Sequence, residues 1–294
     1  MVSPSPDPSA APPISIPPRF VGRVGLITGA ARAMGRSHAA ALAREGCDLV
    51  LCDILEDLPD GTPYPKATSA DFEETRRQVE SQGRRCIAVK ADVGDPVQAA
   101  SLVERATREL GGLDFLIANA ALTIEGPIIE TRPETFDLVL RTNLHGAFNV
   151  LSPALRVMAE RRRGRVVLIG SGSGRHAEAN AAPYVASKWG LIGLAKTAAL
   201  EVAKSGITVN VILPGPVDTP MMDNPIRYRQ AVPNKPDPTR DDYLQAKKDA
   251  TPMGLAWVTS QDVTAAVLFL LSDEARFISG ETLSIDAGDS AHWT

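Results

Sequence analysis

The chain has 294 residues, is 44% hydrophobic and carries a formal net charge of −4, so it can bury a sizeable core. The acidic balance argues against a general nucleic-acid binder or a basic membrane-surface protein. No apolar run approaches the ~18 residues of a membrane span. Cys47, Cys52 and Cys86 form no metal-type spacing with each other or with a histidine, and nothing else suggests a metal site. Small thiols on apolar segments suit a reducing environment, so a cytoplasmic location is expected.

Residues 1–19 are rich in Pro, Ser and Ala and lack the basic-then-apolar order of a signal peptide. They read as a disordered or loosely docked tail. From Arg23, short apolar runs alternate with helical patterns. Val24–Thr28 reads as a strand, followed by a helix over Arg36–Glu45. Asp48–Cys52 is the second strand, and a polar stretch, Glu56–Asp71, precedes a helix over Phe72–Gln82. Cys86–Lys90 is the third strand, with a helix over Val97–Leu110. Phe115–Ala118 is the fourth, with a long helical region over Glu134–Arg161. Arg165–Gly170 is the fifth, with a helix over Pro183–Ala203, and Thr208–Leu213 is the sixth. Residues 218–257 read as irregular apart from a short helix near Asp241–Lys248. A helix over Gln261–Leu271 and a strand at Thr282–Ile285 complete the pattern.

Strands that alternate with helices and are apolar throughout imply a parallel sheet covered on both faces. Right-handed crossovers make it doubly wound, a Rossmann fold in one domain over 20–289. Ligands of such sheets lie beyond the carboxyl ends of the strands, and several chemistry-bearing residues fall there. The first strand runs into Thr28-Gly29-Ala30-Ala31-Arg32-Ala33-Met34-Gly35, a turn opening a helix. Free amides and the helix dipole attract a pyrophosphate at such a place. Asp53, with Ile54, follows the second strand. A carboxylate there accepts from ribose hydroxyls and repels a 2′-phosphate, which favours NAD over NADP. Asp92-Val93 and Asn119-Ala120-Ala121 follow the third and fourth strands; each is equally explained by a cap or a turn.

Tyr184 and Lys188 are four residues apart on a helix and so share a face. A phenol of pKa about 10 is a poor base at neutral pH. A neighbouring ammonium favours the phenolate and makes a general base for an alcohol proton. Ser171, thirteen residues upstream at the end of the fifth strand, is the candidate to hold the substrate oxygen, with Ser173 as an alternative. Asn143 lies mid-helix, where Asn is unfavourable, so a distorted turn or an interhelical hydrogen bond is expected. The four histidines form no ligand pattern and read as surface or packing residues. Arg161-Arg162-Arg163 reads as a solvated helix end.

Together these residues resemble the short-chain dehydrogenase/reductase family over about 20–289. The resemblance implies a sheet of about seven strands in the order 3-2-1-4-5-6-7, and Asn143, Ser171, Tyr184 and Lys188 as the catalytic set. It places NAD against Gly29, Arg32, Ala33, Met34, Gly35, Asp53, Ile54, Asp92, Val93, Asn119, Ala120 and Ala121. It adds Tyr184, Lys188, Pro214, Gly215, Val217, Met221 and Thr219, the last on the nicotinamide carboxamide. Two positions depart from the family pattern: Ala33 replaces the middle glycine of the turn, and Ala121 the last glycine after strand four.

A narrower likeness is to the mycofactocin-associated subgroup, which includes carveol dehydrogenases. It rests on Thr28–Arg32 with Arg36-Ser37-His38-Ala39, on Pro63–Thr68, on Pro238–Asp242 and on Trp257-Val258. It implies a secondary or terpenoid alcohol or ketone substrate. It also implies an NAD retained through turnover and reoxidised in place by a redox partner. Family analogy adds a homotetramer, with the tail 290–294 reaching a neighbouring subunit. The expected chemistry has Tyr184 taking the alcohol proton, Lys188 lowering its pKa and Asn143 completing a proton path to solvent. Residues 218–257, with Met221, Met222, Ile226, Tyr228, Tyr243, Met253 and Trp257, are expected to form a lid over a largely apolar pocket. Two rivals remain: an NADPH-dependent carbonyl or 3-oxoacyl-thioester reductase, which Asp53 opposes, and a non-catalytic NAD-binding sensor or scaffold.

Overall fold

The computed structural model describes residues 17–57 and 62–292. The expected tail at 1–19 thus lies almost wholly outside the described residues, as does the end of the 290–294 tail. Seven strands form one parallel sheet in the order β3-β2-β1-β4-β5-β6-β7. They are β1 Val24–Thr28, β2 Asp48–Asp53, β3 Cys86–Lys90, β4 Phe115–Ala118, β5 Gly164–Ile169, β6 Ile207–Pro214 and β7 Thr282–Ile285. Alternation along each strand sends side chains to opposite faces. Leu26, Leu116 and Val166 join one buried cluster with the helices α3 (Pro96–Leu110), α5 (Gly146–Glu160) and α6 (Ala182–Val202). Ile27, Ile117 and Val167 join the other, with α1 (Ala33–Arg44), α2 (Ser69–Glu80) and α9 (Ser260–Leu271). The sheet is therefore covered on both faces, as its unbroken apolar strands require.

Helix starts follow local chemistry. Capping boxes join Thr68 to Asp71 at α2 and Thr259 to Asp262 at α9. Asp95 caps α3, whose end is a left-handed Gly111. Three features differ from the sequence reading. First, α1 begins at Ala33 rather than Arg36. Second, β5 ends at Ile169, so Ser171 stands in the loop beyond the strand. Third, the long helical region is broken: α4 (Pro133–Leu140) and α5 are joined by a π-helical segment, Arg141–His145, that contains Asn143.

The excursion 218–257 is more ordered than expected. It holds α7 (Pro225–Ala231) as well as α8 (Arg240–Ala250), and a parallel bridge between Val217 and Val258 ties its ends together. The signal for α7 was Asn224-Pro225. The Asn224 side chain accepts from the amides of Ile226 and Arg227, and proline suits the first helical position.

The arginines at 161–163 are not simply solvated. They line a cavity of about 660 Å³ at the amino edge of the sheet, away from the candidate site. Arg163 pairs with the buried Asp114, which also meets Arg23, while Arg161 and Arg162 donate to the carbonyls of Gly111 and Lys204. His38 is fully buried against Thr264 at 2.8 Å, and burial pushes its pKa down to about 3, so it is a neutral packing group.

Candidate active site

Two cavities adjoin at the carboxyl edge of the sheet. The first, of about 310 Å³, runs from the start of α1 past the ends of β2, β3 and β4 to α6. It gathers Gly29, Arg32, Ala33, Met34, Gly35, Asp53, Ile54, Asp92, Val93, Asn119, Ala120, Ala121, Tyr184, Lys188, Thr219 and Met221. The second, of about 190 Å³, is lined by Ser171, Pro214, Gly215 and Val217. Met34, Gly170, Tyr184, Thr219 and Met221 border both, so Tyr184 stands at their junction.

The turn before α1 is built to be approached. Gly29 has φ +64°, and a Cβ on it would meet the Ala120 Cα at 2.9 Å. A Cβ on Gly35 would sit 2.1 Å from the Gly29 carbonyl, so nothing larger than glycine fits between α1 and the turn. No side chain caps the helix and its first turn holds no acid, which leaves its amides and dipole to an anion. Ala33 adopts φ +49°, a left-handed conformation that strains an alanine where the family pattern has glycine. Arg36, by contrast, faces away and ties α1 to α2 through Thr75 and the Asp71 carbonyl.

At the end of β2, Asp53 accepts from the Ala31 amide at 3.0 Å; burial raises its pKa, against the hydrogen bonds from Ala31, Leu55 and Ile54. Asp92 accepts from the Gly94 amide and pairs with Arg141. Asn119 donates to the carbonyls of Thr28 and Gly29, locking the β1 and β4 turns together, and leaves its own Oδ1 buried without a partner among the described residues.

Sequence reasoning missed Tyr64 as a lining residue. Its hydroxyl accepts from the Thr123 amide at 3.2 Å, and burial lifts its pKa to about 12. An aromatic in the polar 56–71 stretch was the available signal. Arg32 donates to the Pro65 carbonyl, so this segment folds over the mouth of α1.

Lys188 is 3% exposed, donates to the Ile169 carbonyl at 2.8 Å and lies 5.4 Å from the centre of the Tyr184 ring. Burial lowers its pKa to about 8. Burial also dominates at Tyr184, raising the phenol above its ordinary range against the opposing effects of the Ser171 hydroxyl and the Arg227 charge. The sequence reading had Lys188 drawing the phenol down. In the structure desolvation of the phenolate outweighs any such pull, because both groups leave water together.

Ser171 Oγ lies 3.3 Å from Ser173 Oγ and accepts from the Ser173 amide; Ser173 in turn donates to Glu178. The Ser171 hydroxyl is also hydrogen-bonded to the Tyr184 phenol, while Ser173 is turned to the Glu178 side. Asn143 lines neither cavity. It is 2% exposed, accepts from the Leu122 amide, and donates to the Leu122 carbonyl and Ser187 Oγ. Its side chain is thus spent on holding the segment after β4 to α6, the interelement bond that a mid-helix Asn suggested.

The second cavity is less apolar than expected. Met34, Leu213, Met221 and Met222 supply an apolar wall. The aromatic residues of the excursion lie elsewhere: Tyr243 is fully buried and stacks with Tyr228 and Trp257 at 5.3 and 5.9 Å, forming a core for the excursion itself. In their place come charged groups, among them Arg227, which is paired with Glu178 and Glu125.

A family model described as enoyl-(acyl carrier protein) reductase matches residues 29–290. The chain is 38% identical over 272 residues to (−)-trans-carveol dehydrogenase of Rhodococcus erythropolis, covering 92% of this chain and 98% of that one. It superimposes on the crystal structure of carveol dehydrogenase from Mycobacterium avium in complex with NAD with a TM-score of 0.89 and 34% identity, over 93% and 99% of the two chains. A short chain dehydrogenase from Mycobacterium paratuberculosis bound to NAD gives a TM-score of 0.85 and 33% identity over the same shares.

Proposed function

This chain belongs to the short-chain dehydrogenase/reductase family, and on that premise we propose that it interconverts a secondary alcohol and its ketone with NAD bound in the larger cavity. The observation that carries this reading is Tyr184 at the junction of two cavities, one bordered by the α1 turn and Asp53, the other by Ser171. The chain's own groups suit a dinucleotide: uncapped amides at α1, a Gly35 that leaves no room for a side chain, and a carboxylate where a 2′-phosphate would sit.

NAD, when bound, supplies the hydride acceptor. Tyr184 holds the carbinol proton at its phenol oxygen. Ser171 orients the carbinol oxygen and stabilises charge that develops on it. Lys188 keeps a cation beside the phenol and meets the ribose hydroxyls, and Asn143, by holding the π-helical segment that contains it against α6, completes a proton path to solvent through a water. Pro214, Gly215, Val217 and Thr219 close the nicotinamide end. Residues 20–289 act as one domain, with 218–257 as the lid over the substrate cavity.

The substrate in this reading is a cyclic, terpenoid-like alcohol, supported by the carveol dehydrogenase relatives, and the NAD is retained through turnover and reoxidised by a redox partner of the mycofactocin type. Exposed Phe148 and Trp189 support association into a homotetramer. No helix among the described residues is long and apolar enough to cross a membrane, and the free thiols support a cytoplasmic setting.

A reductase of carbonyls or 3-oxoacyl thioesters using NADPH is the second reading. Asp53, whose carboxylate would repel a 2′-phosphate, opposes it. Purified protein is expected to carry NAD, visible by mass spectrometry, and to oxidise alcohol faster with an artificial electron acceptor than with added NAD. Freely exchanging NAD with ready turnover would remove the retained-cofactor part of the proposal.

A further inference from the structure

The substrate cavity contains a cation that the hydride-transfer scheme does not use. The capping box of Thr239 and Asp242 starts α8 and fixes its register. Tyr243 then anchors the helix in the core of the excursion, and Lys247, one turn on, shares that inward face while Lys248 is exposed. The Lys247 ammonium lies 5.9 Å from the Tyr243 ring centre and lines the smaller cavity. Among the described residues it makes no hydrogen bond and no ion pair, whereas the other two cations of the lining are engaged. Arg227 pairs with Glu125 and Glu178, and Arg175 donates to Thr282. Burial lowers the Lys247 pKa, partly opposed by Glu178 and Asp289. Beyond its contact with the Tyr243 ring, a half-buried ammonium with no hydrogen-bond acceptor gives up hydration that it does not regain, and one that faces a cavity can recover it from a ligand.

The charges of the cavity set the ligand's chemistry. Arg175, Arg227 and Lys247 are matched by Glu178, Asp286 and Asp289. A carboxylate on the substrate would meet as much repulsion as attraction, while a neutral oxygen would find a donor in Lys247 and an apolar wall in Met221 and Met222. We propose that Lys247 determines specificity by donating to a second, neutral oxygen of the substrate, so that among cyclic, terpenoid-like alcohols those with a second oxygen, diols or hydroxy ketones with an apolar ring, are turned over more efficiently than those bearing one hydroxyl. This rests on the alcohol-dehydrogenase reading above.

The test compares cyclohexanol with the cyclohexanediols as substrates of the full-length enzyme. The wild type is expected to favour at least one diol in kcat/KM. Lys247→Met should lower the ratio of diol to cyclohexanol efficiency by about ten- to a hundredfold, the range of a hydrogen bond to a charged group, and Lys247→Arg should restore part of it. A wild type with no diol preference, or a ratio unchanged in Lys247→Met, overturns the inference while leaving the dehydrogenase reading intact. A wild type that oxidises none of these alcohols contradicts both.

Discussion

Tyr184→Phe is expected to lower kcat for alcohol oxidation by about 10²- to 10⁴-fold, the usual contribution of a positioned proton acceptor, while leaving the affinity for NAD within about twofold of wild type. The split follows from geometry. The phenol hydroxyl sits where the two cavities meet, whereas the dinucleotide groups line the larger cavity along α1, β2 and β4. The aromatic ring stays in the variant, so the ammonium of Lys188 keeps its position between the ring and the Ile169 carbonyl. Single-turnover rates, and calorimetric NAD titration of protein freed of its bound nucleotide, separate the two quantities. Turnover within tenfold of wild type would remove Tyr184 from the chemistry, and parallel loss of NAD affinity would make it a binding residue instead. Burial raises the Tyr184 pKa, so the wild-type oxidation rate should climb with pH as the phenol loses its proton. That dependence should vanish in Tyr184→Phe.

Asp53→Asn should shift the ratio of NADP to NAD efficiency towards NADP by about a hundredfold, equal to about 2.7 kcal/mol. The asparagine keeps an oxygen for the Ala31 amide, which the carboxylate now holds at 3.0 Å, so the turn survives. What disappears is the negative charge that a 2′-phosphate would meet in a partly buried place, where like charges cost several kcal/mol. Arg32, adjacent to Asp53 in the same lining, is then available to the phosphate. Single-turnover rates of nucleotide-free protein reconstituted with each nucleotide check the ratio. Equal use of NADP and NAD by the wild type would contradict the role given to Asp53.

Much of the fold was legible because period and punctuation agreed. The strands at Val24–Thr28, Cys86–Lys90, Phe115–Ala118 and Thr282–Ile285 are the segments that the apolar runs delimit. Helix starts were less sharp where no cap marks them. Ala33 opens α1 with neither a capping side chain nor an acid in its first turn, since that end faces the cavity. The π-helical segment at Arg141–His145 has no periodic signature; only the awkward Asn143 hinted at it.

In the site, residues held by local geometry were readable and those placed by tertiary packing were not. Tyr184, Lys188, Gly29 and Asp53 sit at fixed offsets from strand ends, so topology alone carries them to one edge. The direction of the Tyr184 pKa could not be read, because it depends on how far the phenol is desolvated. Nor could the polarity of the second cavity. Tyr228, Tyr243 and Trp257 look like pocket walls in sequence, and only packing shows that they stack on one another and leave the lining to Arg227 and Lys247.

The most direct test of the account follows one hydrogen. The enzyme with its bound NAD is given cyclohexanol deuterated at the carbinol carbon, or its most efficient diol deuterated at the same place, without an electron acceptor, and the nicotinamide released on denaturation is analysed by mass spectrometry. Direct transfer across the junction at Tyr184 predicts that each reduced nicotinamide carries one deuterium, with the label absent when Tyr184→Phe is used for the same time. Reduced nicotinamide without label would contradict hydride transfer from a CH–OH carbon, and with it the assignment of the two cavities.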